Sequence, residues 1–286
     1  MLIASLGGAI ALSRSGHDAF RGAVVAYASD RSGQRAIWLS DARTSTEVRA
    51  EGCGGSGSYS PAWSPNGRQL AFLTVRAAQR AVCIVESAKD VGRIVFETDG
   101  KASNIAWHPS GRRLLMTRTA DDGTGTVVEV AVSGQRDEVV LATGPEGFGR
   151  PAWRPDGDGF VVATGRNHLQ FYDRKGTLTE TWGDTADQSP VWSRDGSRLV
   201  FVREQQRGGW ALMVLEVRTK RSTTVASSEN LLFHPDWSRN GRRLAFEAYD
   251  TRSGSADIFL IDASGGGATR VLVAGPGDDG SPALRP

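Results

Sequence analysis

The sequence predicts an all-β fold, a ring of six four-stranded antiparallel blades, and three observations predict it. A tryptophan-centred phrase recurs along the chain, each copy runs into an Asn-Gly, Ser-Gly or Asp-Gly pair, and the following residues alternate apolar with polar. Internal repetition at roughly 40–45 residues is the signature of a β-propeller, each period being one blade. The copies are SPAWSPNGRQLAF from Ser60, SNIAWHPSGRRLLMT from Ser103, RPAWRPDGDGFVVA from Arg150, SPVWSRDGSRLVFV from Ser189 and HPDWSRNGRRLAFEA from His234. Their markers Trp63, Trp107, Trp153, Trp192 and Trp237 are 44, 46, 39 and 45 residues apart, and a truncated copy places Leu284 at the marker position 47 residues later.

Each strand of the blade follows in order. The first strand ends at the tryptophan, and the X-Gly pair supplies the positive φ that a short hairpin demands. Leu70 and Phe72, or Leu114 and Met116, mark a half-buried second strand by their period of two. Third strands begin at Ala81, Thr126, Ala211 and Asp257, and weaker fourth strands at Gly92 and Thr269. The last copy supplies only a first strand, whereas the N-terminal region from Gly22 supplies strands two to four. The expected blades are therefore 56–100, 101–147, 148–186, 187–230 and 231–277, with 278–286 and 20–52 sharing a sixth. Such sharing closes the ring and leaves no open sheet edge at the seam.

Composition excludes several classes. A formal charge of +2 gives no global field for nucleic acid or anionic lipid. Eight Trp and ten Phe exclude disorder. Residues 1–19 form an apolar leader whose Met1–Leu12 stretch is shorter than the roughly 20 residues that span a bilayer. That stretch reads as the hydrophobic part of a secretory signal with Ala9-Ile10-Ala11 as its small-x-small site, so an extracytoplasmic location is expected. Two cysteines make no disulfide framework. Cys83 reads as a buried small hydrophobe and Cys53, in a glycine-rich loop, as a candidate reactive thiol.

The repeated S-P-x-W-S-P-x-G-R-x-L-x-F phrase, the Ser29-Asp30-Arg31-Gly33 loop and the strands Ile37–Asp41 and Ile258–Asp262 resemble TolB-type propeller repeats. The resemblance covers residues 20–286. It implies the six-bladed propeller, without the N-terminal α/β domain that TolB also carries. Similar repeats occur in the propeller domains of prolyl-oligopeptidase-like and tricorn-like peptidases, so the resemblance specifies fold more than function.

Catalytic motifs are sparse. No G-x-S-x-G nucleophile elbow occurs, and the run Gly54 to Ser58 reads as a flexible loop. His17, His108, His168 and His234 show no H-x-x-x-H spacing; His108 reads as a turn residue and His168 as structural, while His234 opens an innermost strand. Trp38, Trp182 and Trp210 read as packing between blades. Loops leading into the first strands carry Glu51, Glu97, Asp99, Glu146, Asp184, Asp187, Glu229, Asp278 and Asp279. Loops joining strands two and three, on the same face, carry Arg31, Arg76, Arg80, Arg118, Arg166, Arg203, Arg207 and Arg252. The expectation is a face that is acidic near the axis and basic further out, able to steer a complementary partner.

The expected function is a non-catalytic, monomeric module of the cell envelope that binds a protein or peptide at the channel mouth. By repeat register the contact residues there are Tyr59, Asn104, Arg150, Gln188, His234 and Asp279. No cofactor is called for, although Asp278-Asp279 and Asp121-Asp122 offer carboxylates to Ca²⁺ without an EF-hand pattern. The alternatives are a hydrolase or lyase working in the channel, with or without a metal, and an accessory or sensor propeller of a separate catalytic chain.

Overall fold

The computed structural model describes residues 20, 22–77, 79–98, 101–134, 137–166, 168–182 and 186–286. The apolar leader, its Ala9-Ile10-Ala11 site, His17, Asp99 and Asp184 lie outside the described residues. The described residues form 24 strands and no helix. None of them belongs to a helix long and apolar enough to cross a membrane.

The ring opens with β1 (Val25–Ser29), β2 (Ala36–Ser40) and β3 (Ser45–Glu47). Blade 1 holds β4 (Ser58–Trp63), β5 (Leu70–Arg76), β6 (Gln79–Val85) and β7 (Arg93–Thr98). Blade 2 holds β8 (Lys101–Trp107), β9 (Arg113–Thr119), β10 (Gly125–Ala131) and β11 (Glu138–Gly144). Blade 3 holds β12 (Phe148–Trp153), β13 (Gly159–Thr164), β14 (Leu169–Asp173) and β15 (Leu178–Trp182). Blade 4 holds β16 (Asp187–Trp192), β17 (Arg198–Glu204), β18 (Trp210–Glu216) and β19 (Arg221–Ser228). Blade 5 holds β20 (Leu231–Trp237), β21 (Arg243–Asp250), β22 (Ser255–Asp262) and β23 (Arg270–Val273). The last strand, β24 (Gly280–Leu284), pairs antiparallel with β1, so blade 6 runs β24-β1-β2-β3 and joins the two ends of the chain.

Local chemistry accounts for the repeat. Gly67, Gly111, Gly157, Gly196 and Gly241 take φ between 65° and 78° in the turns between first and second strands. Ser64, Ser193 and Ser238, just after their markers, each accept the backbone N–H five residues on at 2.9 Å, which pins those turns. Prolines stand in the first strands at register shifts, as Pro61, Pro190 and Pro235 do, because a proline cannot donate to a ladder.

The marker tryptophans clip neighbouring blades together. Trp107 Nε1 donates to Ala62 O at 2.9 Å, Trp237 Nε1 to Val191 O at 3.0 Å, and Trp63 Nε1 to Ala283 O at 3.1 Å. The acceptor is always the residue before the marker position of the preceding blade. Trp153 is buried and Trp192 partly buried, and their indole N–H groups find no acceptor in the protein. Apolar layers fill the space between blades: Leu73, Val82, Ile105 and Met116 join blades 1 and 2, and Val200, Leu212, Leu232 and Phe246 join blades 4 and 5. Trp38, Trp182 and Trp210 are partly buried against such layers.

The cysteines differ from expectation. Cys53 and Cys83 form a disulfide, with Cα atoms 5.8 Å apart, within the range a bridge tolerates. Cys53 is therefore no free thiol. The loop after β3 folds back through an Ala50–Cys53 turn and lays Cys53 against the middle of blade 1, which ties blade 6 to blade 1.

Candidate functional site

Where each first strand shifts register, one residue is forced into the left-handed region. Ser60, Asn104, Ser189, His234 and Ser281 have φ between 47° and 54°. All lie three residues before the marker, and the same position in blade 3 is Arg150. Ser60, Pro61, Asn104, Ile105, Arg150, His234 and Ser281 line the central cavity, which is only about 10 Å³. That is room for about one water molecule.

Two polar pairs fill the channel. Arg150 reaches across from blade 3 to blade 5, where its Nη1 donates to Pro235 O at 2.9 Å. Beside it lies Asp236, whose Oδ2 accepts the Leu284 N–H at 2.6 Å. Burial pushes the Asp236 carboxyl up to about 6, against the opposing pull of Arg150 and of the Leu284 and Trp237 amides. The same desolvation lowers the pKa of Arg150, and Asp236 resists that shift.

The second pair is His234 Nδ1 with Glu247 Oε2, at 2.8 Å. Glu247 is buried in β21, and the same oxygen accepts the Ser281 N–H at 2.8 Å. Burial acts to raise its pKa, but the His234 charge and hydrogen bond, the Ser281 amide and Arg35 together hold it below the usual glutamate value. An ionised Glu247 can only accept, so His234 Nδ1 carries a proton and donates this bond. Gly280 makes this arrangement possible, since a Cβ there would stand 2.5 Å from Glu247 Oε2.

Three of the expected mouth residues, Asn104, Arg150 and His234, line this cavity. The other three do not. Tyr59 lies one step away in register, its hydroxyl donating to Ala102 O at 2.9 Å, and Gln188 is likewise one residue before the lining position. Asp279 lies two residues before Ser281, fully buried and salt-bridged to Arg31, which also lies over the Tyr27 and Trp38 rings. Asp278 pairs with Arg35 at 3.0 Å and accepts the Ala256 N–H, so both aspartates fasten blade 6 to blade 5.

Counting strictly from the marker would have found Ser60 and Ser281. Asp236 also carried a signal: the residue before the marker is Ala62, Ala106, Ala152, Val191 and Ala283 elsewhere, and only here a carboxylate. Glu247 occupies the position held by Leu73 and Val202 in two other copies.

The rim is acidic inside and basic outside, but the two rings are paired with each other. Arg76 meets Glu97, Arg166 meets Glu146, Arg203 grips Asp187 with two bonds of 2.7 and 2.8 Å, and Arg252 approaches Glu229 at 3.9 Å. Arg118 turns instead to Glu138, and blade 2 inverts the order with Lys101 inside and Asp121 outside. Segregated residue types thus give a largely neutralised surface. Arg80 lies over the Tyr59 ring. His108 does sit in a turn, bonded to Ser110, with its ring edge-on to Trp153. Among the described residues no three His, Cys, Asp or Glu side chains come together as a metal-holding group.

No family model matches the chain. It is 26% identical over 167 residues to the uncharacterized peptidase YuxL of Bacillus subtilis (strain 168), a match covering 58% of this chain and 24% of that protein. The chain thus spans about a quarter of that relative's length. Among solved structures it resembles TolB from Acinetobacter baumannii, with a TM-score of 0.75 at 15% identity over 92% of this chain and 67% of that one. It also resembles an oligogalacturonate lyase in complex with manganese, with a TM-score of 0.60 at 13% identity over 87% and 73% of the two chains. At these identities the likeness is one of fold: the chain is a TolB-like six-bladed propeller.

Proposed function

We propose that the chain is a non-catalytic binding module that presents its channel mouth to a protein or peptide, as a monomer in the cell envelope. The observation that carries this reading is the filled channel. With about 10 Å³ left between Arg150 and the His234–Glu247 pair, a partner can meet the rim and the residues just below it but cannot thread the ring. A rim of mutually paired charges suits a neutral polypeptide surface better than a highly charged one. The Cys53–Cys83 disulfide fits an oxidising compartment, which agrees with the location proposed.

Affinity capture from envelope extracts tests this. The immobilised protein should retain a polypeptide that Glu229→Arg and Arg76→Glu reduce at least fivefold and that Arg239→Glu, on the opposite face, leaves unchanged. Equal retention by all variants would sink the proposal.

A second reading is favoured by one observation, the histidine oriented by a buried carboxylate, which is how general bases are held. On that reading the propeller works as an enzyme, or serves a separate catalytic chain, as the peptidase and lyase likenesses suggest. Metal analysis and turnover assays with peptide and oligogalacturonate substrates, each repeated with His234→Asn, distinguish it.

A further inference from the structure

A second hollow is lined mainly by outer strands and the loops between them. Between blades 2 and 3 lies a cleft of about 540 Å³. This is within the roughly 300–1,000 Å³ of ligand sites. Blade 3 explains it: its repeat is the shortest, at 39 residues, and its outer strands β14 and β15 have five residues each where β10 and β11 have seven.

The lining has a consistent chemistry. Leu141 and Phe148 on one side and Tyr172 and Leu178 on the other provide apolar surface. Leu178 is 48% exposed, and Val139 and Val140, just before Leu141 on β11, are also exposed. These are three of the five exposed large hydrophobics among the described residues. His168, Gln170 and Tyr172 lie at every second residue and face the cleft together, with the Tyr172 hydroxyl donating to Gln170 Oε1 at 2.7 Å. Glu146 and Arg166 at one end are bonded to each other, so neither is left over to recognise a charged group.

We infer that this cleft takes an extended, uncharged stretch of polypeptide carrying a large apolar side chain. His168, just before β14, and Gln170 and Tyr172 on it border the cleft, and His168 to Tyr172 spans about 13 Å at 3.3 Å per residue, the length of four residues of extended chain. The apolar floor takes a side chain, while Gln170, His168 and the threonines of the rim offer bonds to backbone amides. This deepens the proposal above, on which it rests: the module would hold its partner by a peptide segment here as well as by the mouth.

The test uses fluorescence polarisation with a labelled Thr-Val-Phe-Val-Thr peptide, blocked at both ends, against the intact chain. Saturable binding is expected, at least tenfold weaker with Gln170→Glu/Leu178→Glu and with the single Leu178→Lys, whose position is half exposed. Replacing the peptide's Phe by Asp should abolish it, whereas Glu229→Arg should leave it unchanged. No saturable binding overturns the inference, as does binding weakened by Glu229→Arg and not by the cleft variants, a result that would favour the mouth alone. Binding of a neutral oligosaccharide in place of the peptide, with sensitivity to the cleft variants, also overturns it. Absent peptide binding while the rim variants still lose partner capture is failure here alone, and intact peptide binding with equal capture by all rim variants is failure of the mouth alone.

Discussion

Asp236 Oδ2 accepts the Leu284 N–H at 2.6 Å, at the seam where the marker tryptophan is replaced by leucine. At three of the other five seams an indole N–H bridges to the blade before it; here a carboxylate of blade 5 bridges to the backbone of β24 instead. Glu247 does the same one turn of the ladder away, through the Ser281 N–H. The two substitutions that look like noise in the repeat, Asp for Ala and Leu for Trp, are thus one structural device. It fastens the closing strand.

Asp236 makes the seam sensitive to pH. Its folded pKa, about 6, lies above the ordinary 3.8 because of burial, so the folded state binds the proton more tightly. Its contribution to stability is therefore full below about 4 and is lost as the pH rises through 6. Asp236→Asn keeps an acceptor for Leu284 and removes the titration. The difference in unfolding free energy between variant and parent should change by on the order of 2 kcal/mol between pH 4 and pH 7, in favour of the variant at pH 7. Urea titrations at both values check this; a pH-independent difference would count against it.

The buried and exposed ion pairs should separate cleanly. Asp279→Ala leaves the Arg31 guanidinium, only 15% exposed, without its carboxylate, and should cost about 3 kcal/mol. Glu97→Ala breaks a pair whose members are 42% and 43% exposed and should cost less than about 0.5 kcal/mol. Chemical denaturation of the two variants measures both.

The marker tryptophans are not equivalent. Trp107→Phe removes the bond to Ala62 O, whereas Trp192→Phe removes an indole with no protein acceptor. The first should lose about 1 kcal/mol more than the second, by the same denaturation measurement.

The disulfide gives a further check. The unreduced protein, denatured, should show no titratable thiol, and Cys53→Ala/Cys83→Ala should be about 2–4 kcal/mol less stable. Two free thiols in protein purified from the envelope would contradict the pairing.

The ring was legible because tryptophan, X-Gly turns and alternation repeat at one spacing, and because β24 and β1 are complementary fragments of one blade. The site was legible only where a residue departs visibly from the repeat. Asn104, Arg150 and His234 do so in the lining register, whereas Tyr59, Gln188 and Asp279 are equally conspicuous residues one or two steps away, and a shift of register by one turns a side chain to the other face. The Cys53–Cys83 bridge depends on how the loop after β3 folds back, which the spacing of two cysteines does not encode.

The most direct test of the binding role is site-specific photocrosslinking. A photoreactive phenylalanine replaces Glu229, at the mouth, or Arg239, in the turn on the opposite face. Irradiation in envelope extracts should yield a discrete polypeptide adduct from position 229 and none from position 239. Adducts of equal yield from both positions, or none from either, would contradict the mouth as the binding surface.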